Sequence, residues 1–302
     1  MSTLLIAYSK IILAMIIVGS SIVVGKIVVV TFPVFLVSEL RLLLALVILI
    51  PMMLKKEKGI PTLKSKDFKY LFLLSFTGIF LFNVFMLYGL KLTSAVESGI
   101  ITSITPAVVG IIATIYLKEK ISKNKVIGVF LAVAGTIVIH VSENSVVETS
   151  EANRLLGNLL IICAVICEAQ FIIFGKKLSG GMAPVTIASA ISIFASILFM
   201  PPAIYEALHF DFFKLSLNDW LYVVYYGIVV TALAFILMYQ GLSQVEASSA
   251  GVLTSVLPVS TVVFSCIFLN EELKIVHIIG LLCSISSIII IAKNTKNEPE
   301  VS

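Results

Sequence analysis

The chain has 302 residues, of which 59% are hydrophobic and 13% are charged, and its formal net charge at pH 7 is +4. An ordinary soluble domain has about 25% charged residues, and a single soluble core cannot bury this much apolar surface, so the composition excludes a soluble globular protein and favours a polytopic membrane protein. The lipid bilayer is therefore an expected partner, and nucleic acid is not.

Ten apolar segments follow one another along the chain. The first, 4–25, is long for a signal peptide and lacks a small-residue cleavage site, so we interpret it as a membrane span. The others are 32–54, 68–90, 95–117, 124–141, 153–175, 183–205, 218–241, 247–269 and 275–293. Each can cross a hydrocarbon core of ~30 Å as a helix. The sequence therefore predicts an all-α membrane protein with ten transmembrane helices.

Part of the sequence is repeated. Residues 88–128 and 240–280 align without a gap at a constant offset of 152, and twelve of the 41 positions are identical. The identical pairs are Gly89–Gly241, Leu90–Leu242, Ala95–Ala247, Gly99–Gly251, Thr102–Thr254, Ser103–Ser255, Pro106–Pro258, Ile115–Ile267, Leu117–Leu269, Glu119–Glu271, Ile127–Ile279 and Gly128–Gly280. Chance matching of two apolar segments would not select glycines, a proline and a glutamate, so the chain is predicted to be an internal duplication.

Five spans in each copy give the copies opposite orientations in the membrane. We predict five-helix repeats at 5–141 and 153–293, a polar extracytoplasmic linker at 142–152 and a cytoplasmic tail at 294–302. With both termini in the cytoplasm, the inside segments hold fifteen Lys residues, and the outside loops hold five Lys or Arg, as the positive-inside rule expects. Inverted repeats are typical of alternating-access carriers, whose sites form near the bilayer midplane.

Several of these features resemble one transporter family. Each half has a Gly/Ala-rich fourth helix with a central proline, and L-x-E follows at 117–119 and at 269–271. With Arg41 in the second helix and Gly25 closing the first, they resemble the EamA-type branch of the drug/metabolite transporter superfamily over about residues 5–293. The resemblance implies a permease of the cell membrane that carries out efflux of small metabolites, such as amino acids or drug-like solutes.

Other functional classes lack their motifs here. The sequence has no Walker-type GK[ST] loop and no HExxH or GxSxG motif, and its four cysteines lie inside apolar runs without metal-binding spacing. We therefore expect no enzymatic activity, no cofactor and no metal. A channel, a receptor and an intramembrane enzyme stay open as alternatives from other classes. An importer is the nearer rival, because inverted repeats do not fix the direction of flux.

The fourth and ninth predicted helices share the pattern T-S-x-x-P at their centres. A proline inside a helix frees the carbonyl group four residues earlier, here that of the threonine. In lipid such a group is costly unless protein, water or a ligand satisfies it, which predicts a cavity wall. The alternative is that the threonine hydroxyls repair their own helices. The six candidate residues are Thr102, Ser103, Pro106, Thr254, Ser255 and Pro258.

Charged residues near the membrane centre are the second group of candidates. Arg41 lies about two residues from the centre of the second predicted helix, Glu39 about four, and Glu168 about four past the centre of the sixth. A charge at this depth costs at least ~2.5–3.5 kcal/mol, so each should face a wet interior or a partner. Our hypothesis is that Arg41 faces the cavity and binds a substrate carboxylate. The alternative is a structural ion pair, such as Arg41 with Glu168.

Other polar residues lie at similar depth or at the helix ends. Asn83, Gln170, Tyr225 and Tyr226 are candidates for hydrogen bonds to the ligand. Either Glu39 or Glu168 is a candidate carrier of a coupling proton, because removal from water favours the neutral form of a carboxyl group.

The acids at the helix ends have different expected roles. We expect Glu97 and Glu246 to face water, and Glu119 and Glu271 to fix loops by capping or ion pairing. An arginine together with acids near the midplane points to a zwitterionic small-molecule substrate. A homodimer is a candidate assembly.

Overall fold

The computed structural model describes residues 2–59, 61, 65–117, 127, 130, 151–245, 250, 253–254, 256–272, 275, 278–279, 282 and 286. These residues are almost entirely helical, and none of them forms a strand. Within them, seven helices are long and apolar enough to cross a membrane, and an eighth apolar helix is shorter. The predicted helices at 124–141 and 275–293 lie outside the described residues, apart from isolated positions.

The eight helices are numbered in chain order. In the first half they are α1 (Ser2–Thr31), α2 (Val34–Glu57), α3 (Ser65–Leu92) and α4, which is interrupted between Ala95–Thr102 and Thr105–Leu117. In the second half they are α5 (Glu151–Ser179), α6 (Pro184–Leu208), α7 (Leu217–Leu242) and α8 (Val256–Phe268). By the sequence repeat, α1 corresponds to α5, α2 to α6, α3 to α7 and α4 to α8.

Helix contacts repeat between the halves. α1 packs against α7 and α8, and α5 packs against the corresponding α3 and α4. α2 packs against α6, and α4 against α8. Close approaches repeat as well: a Cβ on Gly89 would lie 3.1 Å from the Gly157 carbonyl oxygen, and one on Gly241 would lie 3.0 Å from that of Ala7. Glycine at both positions lets corresponding helix pairs approach closely.

Two lysines extend this correspondence to the ends of the helices. Lys26 Nζ donates to the carbonyl oxygens of Leu90 and Thr93, both at 2.6 Å. Lys176 Nζ donates to those of Leu242 at 2.8 Å and Val245 at 2.6 Å. The last carbonyl groups of a helix have no partner within it, so each lysine caps the end of α3 or α7. Lys26 is itself part of α1, which continues past its predicted end at residue 25 to Thr31.

The same contacts define two faces of the bundle. The ends of α1 and α3 meet the start of α5 at one face, which we call the Arg154 face after the arginine in the first turns of α5. The end of α7 meets the start of α1 and the end of α5 at the other, the Lys176 face. Corresponding helices α1 and α5, and likewise α3 and α7, therefore run in opposite directions.

Short π-helical segments interrupt α3 and α7 at corresponding positions. They cover Phe76–Leu81 and Tyr226–Leu233. In the second, Thr231 Oγ1 donates to the carbonyl oxygen of Tyr226, five residues earlier, at 2.9 Å. A π-turn adds a residue to the helical turn and frequently marks a functional site. Gly78, Tyr226 and Val230 in these segments line the cavity at the centre of the bundle.

Candidate functional site

A cavity lies at the centre of the bundle, between the two halves. Its empty volume is about 860 Å³, including space open to the outside, and its wall comes from both halves. Most of the wall is Met, Phe, Ile and Val, with a few polar groups, a composition typical of small-molecule sites. The polar and charged residues in the wall are Ser21, Arg41, Asn83, Thr102, Glu168 and Tyr226.

Arg41 is the positive charge of the cavity. Its side chain in α2 is only 5% exposed, and its guanidinium carbon lies 4.7 Å from the centre of the Tyr226 ring, a cation–π contact. Its buried Nε has no hydrogen-bond partner, and no carboxylate of the described chain lies within 4.0 Å of the guanidinium. A buried charge is costly unless it is paired, so the geometry leaves a place for an anionic group beside Arg41.

Glu168 brings a carboxyl group to the same cavity from α5. Its Oε2 accepts a hydrogen bond of 2.9 Å from Thr105 Oγ1 in α4. It forms no ion pair with a described residue, so the Arg41–Glu168 pairing considered from the sequence is not formed. The cavity thus presents a cation and a carboxyl group separately.

Asn83 and Thr102 complete the polar wall. Asn83 Nδ2 donates to the carbonyl oxygen of Ile79 at 2.6 Å, inside the π-helical part of α3, so its Oδ1 is the group available as an acceptor. Thr102 Oγ1 donates to the carbonyl oxygen of Gly99 at 2.7 Å, which leaves its oxygen lone pairs as acceptors. Both side chains can accept hydrogen bonds from a solute that carries N–H groups.

Comparison with known proteins identifies the family. The sequence model of the EamA-like transporter family matches residues 5–141 and 155–293. The chain belongs to this family. The uncharacterized transporter YetK of Bacillus subtilis (strain 168) is 44% identical over 284 residues, which is 94% of this chain and 86% of that protein.

A more distant relative agrees with this assignment, and one solved structure shares the fold. An uncharacterized transporter of Archaeoglobus fulgidus is 30% identical over 220 residues, 72% of this chain and 75% of its own. A crystal structure matches at a TM-score of 0.67 and 16% identity, covering 98% of both chains, which is a likeness of fold. The chain is therefore a multi-pass membrane transporter of the EamA-like family.

Several predicted site residues of this EamA-like transporter lie away from the cavity wall. Glu39 accepts a 2.6 Å hydrogen bond from Ser196 Oγ between α2 and α6. Tyr225 is bonded to Ser20 at 2.6 Å, and Ser103 donates to the carbonyl oxygen of Ile100 at 2.5 Å. The remaining ones outside the wall are Gln170, Thr254 and Pro258. Ser255 and the side chain of Pro106 lie outside the described residues.

The T-S-x-x-P pattern does not leave a bare carbonyl group in α8. Pro258 has no N–H to donate to the Thr254 carbonyl oxygen. This oxygen instead accepts a hydrogen bond of 3.0 Å from the N–H of Leu257. In α4 the helix is interrupted at Ser103 and Ile104, whose N–H groups donate to Ile100 and Ile101 at 3.1 Å. In α8 a tight turn with an i→i+3 bond thus absorbs the effect of Pro258, where the sequence predicted the threonine hydroxyl or a ligand.

Of the roles expected for two acids at the helix ends, that of Glu97 is wrong and that of Glu271 is confirmed. Glu97, expected to face water, is 2% exposed and forms an ion pair of 2.9 Å with Arg154. Because Arg154 is 57 residues away in sequence, no local sequence pattern predicts this ion pair. Glu271, expected to cap or fix a loop, caps α4: its carboxylate accepts the N–H groups of Ala95 at 3.0 Å and Val96 at 2.7 Å. Glu119 and Glu246 lie outside the described residues.

Proposed function

We propose that this transporter is a secondary carrier that exports a small solute across the cell membrane by alternating access. Ten spans in two inverted five-helix repeats would place the solute between the halves near the midplane. The repeated contacts and the opposite directions of corresponding helices support this arrangement. The Lys and Arg distribution of the sequence supports cytoplasmic termini, with the Arg154 face outside.

The unpaired guanidinium of Arg41 carries the proposal for the solute. A carboxylate matches the planar fork of arginine with two oxygens, which gives strong charge-assisted hydrogen bonds. Glu168, Asn83 and Thr102 offer acceptors to a solute ammonium group in the same cavity. The site therefore favours a small zwitterion with an apolar body, such as an amino acid.

The function is tested by comparing metabolite levels inside and outside cells with and without the protein, followed by flux of the responding solute in proteoliposomes. An exporter lowers the level of a carboxylate-bearing solute inside the cell, and an importer raises it. Conductance in planar bilayers that greatly exceeds carrier turnover would instead favour the channel alternative. If no small molecule changes its level, the proposal is wrong.

For a coupling proton, the position of the acids favours Glu168 over Glu39. Glu168 lines the cavity, whereas Glu39 lies between α2 and α6. We expect Glu168→Gln to abolish the response of solute flux to an imposed pH gradient while solute exchange continues, because glutamine keeps the shape but cannot release a proton. Glu39→Gln is the matched control and should keep the response. Flux that ignores the gradient in the unmodified protein would rule out proton coupling.

A further inference from the structure

A buried polar cluster joins the two halves at the Arg154 face. The Glu97 carboxylate, at the start of α4, accepts hydrogen bonds from Arg154 Nε at 2.9 Å, Asn158 Nδ2 at 3.0 Å and Thr93 Oγ1 at 2.7 Å. All four side chains are less than 9% exposed. Thr93 and Glu97 belong to the first half, and Arg154 and Asn158 to the second. We call these four residues the Glu97 cluster.

Two further contacts hold the segments that carry the cluster. Lys26, near the end of α1, donates to the carbonyl oxygen of Thr93 at 2.6 Å. The Glu271 carboxylate, just after α8, binds the N–H groups of Ala95 and Val96, next to Glu97. The cluster and these contacts tie α1, α3, α4, α5 and the end of α8 together at the Arg154 face.

The sequence repeat does not reproduce the cluster at the other face. Residues of α3 and α4 correspond to residues of α7 and α8 that lie 152 positions later. Residues of α1 correspond to residues of α5 that lie 150 positions later, as the capping lysines Lys26 and Lys176 show. The residues that correspond to Thr93, Glu97, Arg154 and Asn158 are Val245, Ser249, Leu4 and Tyr8. A lysine cap thus occurs at both faces. The Glu97–Arg154 ion pair and the Asn158 side chain that binds Glu97 have no counterparts at the corresponding positions of the repeat.

We infer that the Glu97 cluster is a gate lock at the Arg154 face. This inference rests on the proposed alternating-access function, which requires the halves to separate at this face whenever the cavity opens there. Separating them pulls Arg154 and Asn158 away from Glu97 and leaves buried charges without compensation. The four corresponding residues of the repeat include no such charged pair to break, so the empty carrier rests with its cavity closed toward the Arg154 face.

The lock is tested by the accessibility of the cavity from the Arg154 face. Met86 lines the cavity from α3 and is buried, and Met86→Cys in a background with the four native cysteines replaced by serine serves as reporter. The measured quantity is the rate at which a membrane-impermeant methanethiosulfonate reagent, added at the Arg154 face, modifies this cysteine. Glu97→Gln should raise that rate about 10- to 100-fold, the range given by the usual strength of hydrogen bonds to charged groups.

Matched variants separate a lock from a general loosening. Thr93→Val introduces the residue that the second half has at the corresponding position, Val245. This variant should fold normally and give a smaller increase in the rate of modification. The double exchange Glu97→Arg with Arg154→Glu should restore slow modification. Glu206→Gln is the control at the same face: Glu206 lies near the end of α6 and binds the Leu36 N–H at 2.7 Å, so the rate of modification should not change.

The outcomes are distinguishable from those of the transport proposal. Modification of the reporter needs no solute, so faster modification together with absent solute flux would support the lock and contradict the proposed function. If Glu97→Gln and Thr93→Val both run as monodisperse protein and are modified at the unchanged rate, the cluster is a structural contact and the lock is wrong. If Glu97→Gln does not fold, Thr93→Val decides by the same measurement.

Discussion

Replacing Arg41 by glutamine is expected to lower the transport rate of a carboxylate-bearing solute about 10- to 100-fold, because each hydrogen bond to a charged group contributes about 1.5–3 kcal/mol. Glutamine keeps one donor group but removes the charge that the cavity otherwise leaves without a counterion. The measurement is the initial rate of solute flux in proteoliposomes that contain equal amounts of each protein.

Two control variants show whether this loss comes from the site. Arg41→Lys keeps the charge but loses the planar fork that matches a carboxylate, so it should transport at an intermediate rate. Lys214→Gln removes a cation that is 82% exposed and pairs with Asp211 at 3.4 Å, and it should transport normally. Unchanged flux in Arg41→Gln at normal expression would show that Arg41 does not bind the solute.

Replacing Gly227 by alanine is expected to destabilise the protein by about 1–3 kcal/mol, the usual cost of overpacking. A Cβ at this position would lie 2.8 Å from the Arg41 carbonyl oxygen and 2.7 Å from Leu44 Cβ. Neither neighbour is the far end of a flexible side chain, so α2 and α7 must move apart. This displaces Arg41 and the π-helical segment of α7, and transport should fall together with the midpoint of thermal unfolding in detergent.

Gly180→Ala is the matched control for this substitution. A Cβ on Gly180 has no heavy atom within 4 Å, so its unfolding midpoint should equal that of the unmodified protein. If Gly227→Ala unfolds at the same midpoint as Gly180→Ala and transports normally, α2 and α7 do not approach each other as closely as the structure has them.

Much of the architecture was predictable from the sequence because it follows from hydropathy. Long apolar segments must be helical in a membrane, since every backbone polar group has to be satisfied within the segment. The repeat made helices in the two halves comparable, and the cost of a buried charge predicted that Arg41 faces a wet interior or a partner. Asn83, Thr102, Glu168 and Tyr226 were placed near the midplane by the same counting, and they line the cavity together with Arg41.

Features set by tertiary contacts were not predictable in this way. The π-helical segments in α3 and α7 have no sequence signature, since a single added residue per turn leaves composition and hydropathy unchanged. Glu97 sits at a helix start, which favours an acid near water, yet the buried partners Arg154 and Asn158 lie far along the chain. Glu39 and Glu168 looked alike as buried acids, and only helix rotation shows that Glu168 reaches the cavity and Glu39 does not.

The most direct test is the side of the membrane on which two corresponding positions lie. Lys91 and Ser243 are both exposed and match at the repeat offset of 152. In a cysteine-free background, we expect an impermeant thiol reagent to label Lys91→Cys on intact cells and to label Ser243→Cys only after the membrane is opened. Labelling of both cysteines from the same side would contradict two oppositely oriented halves, and with them a solute carried in the cavity between.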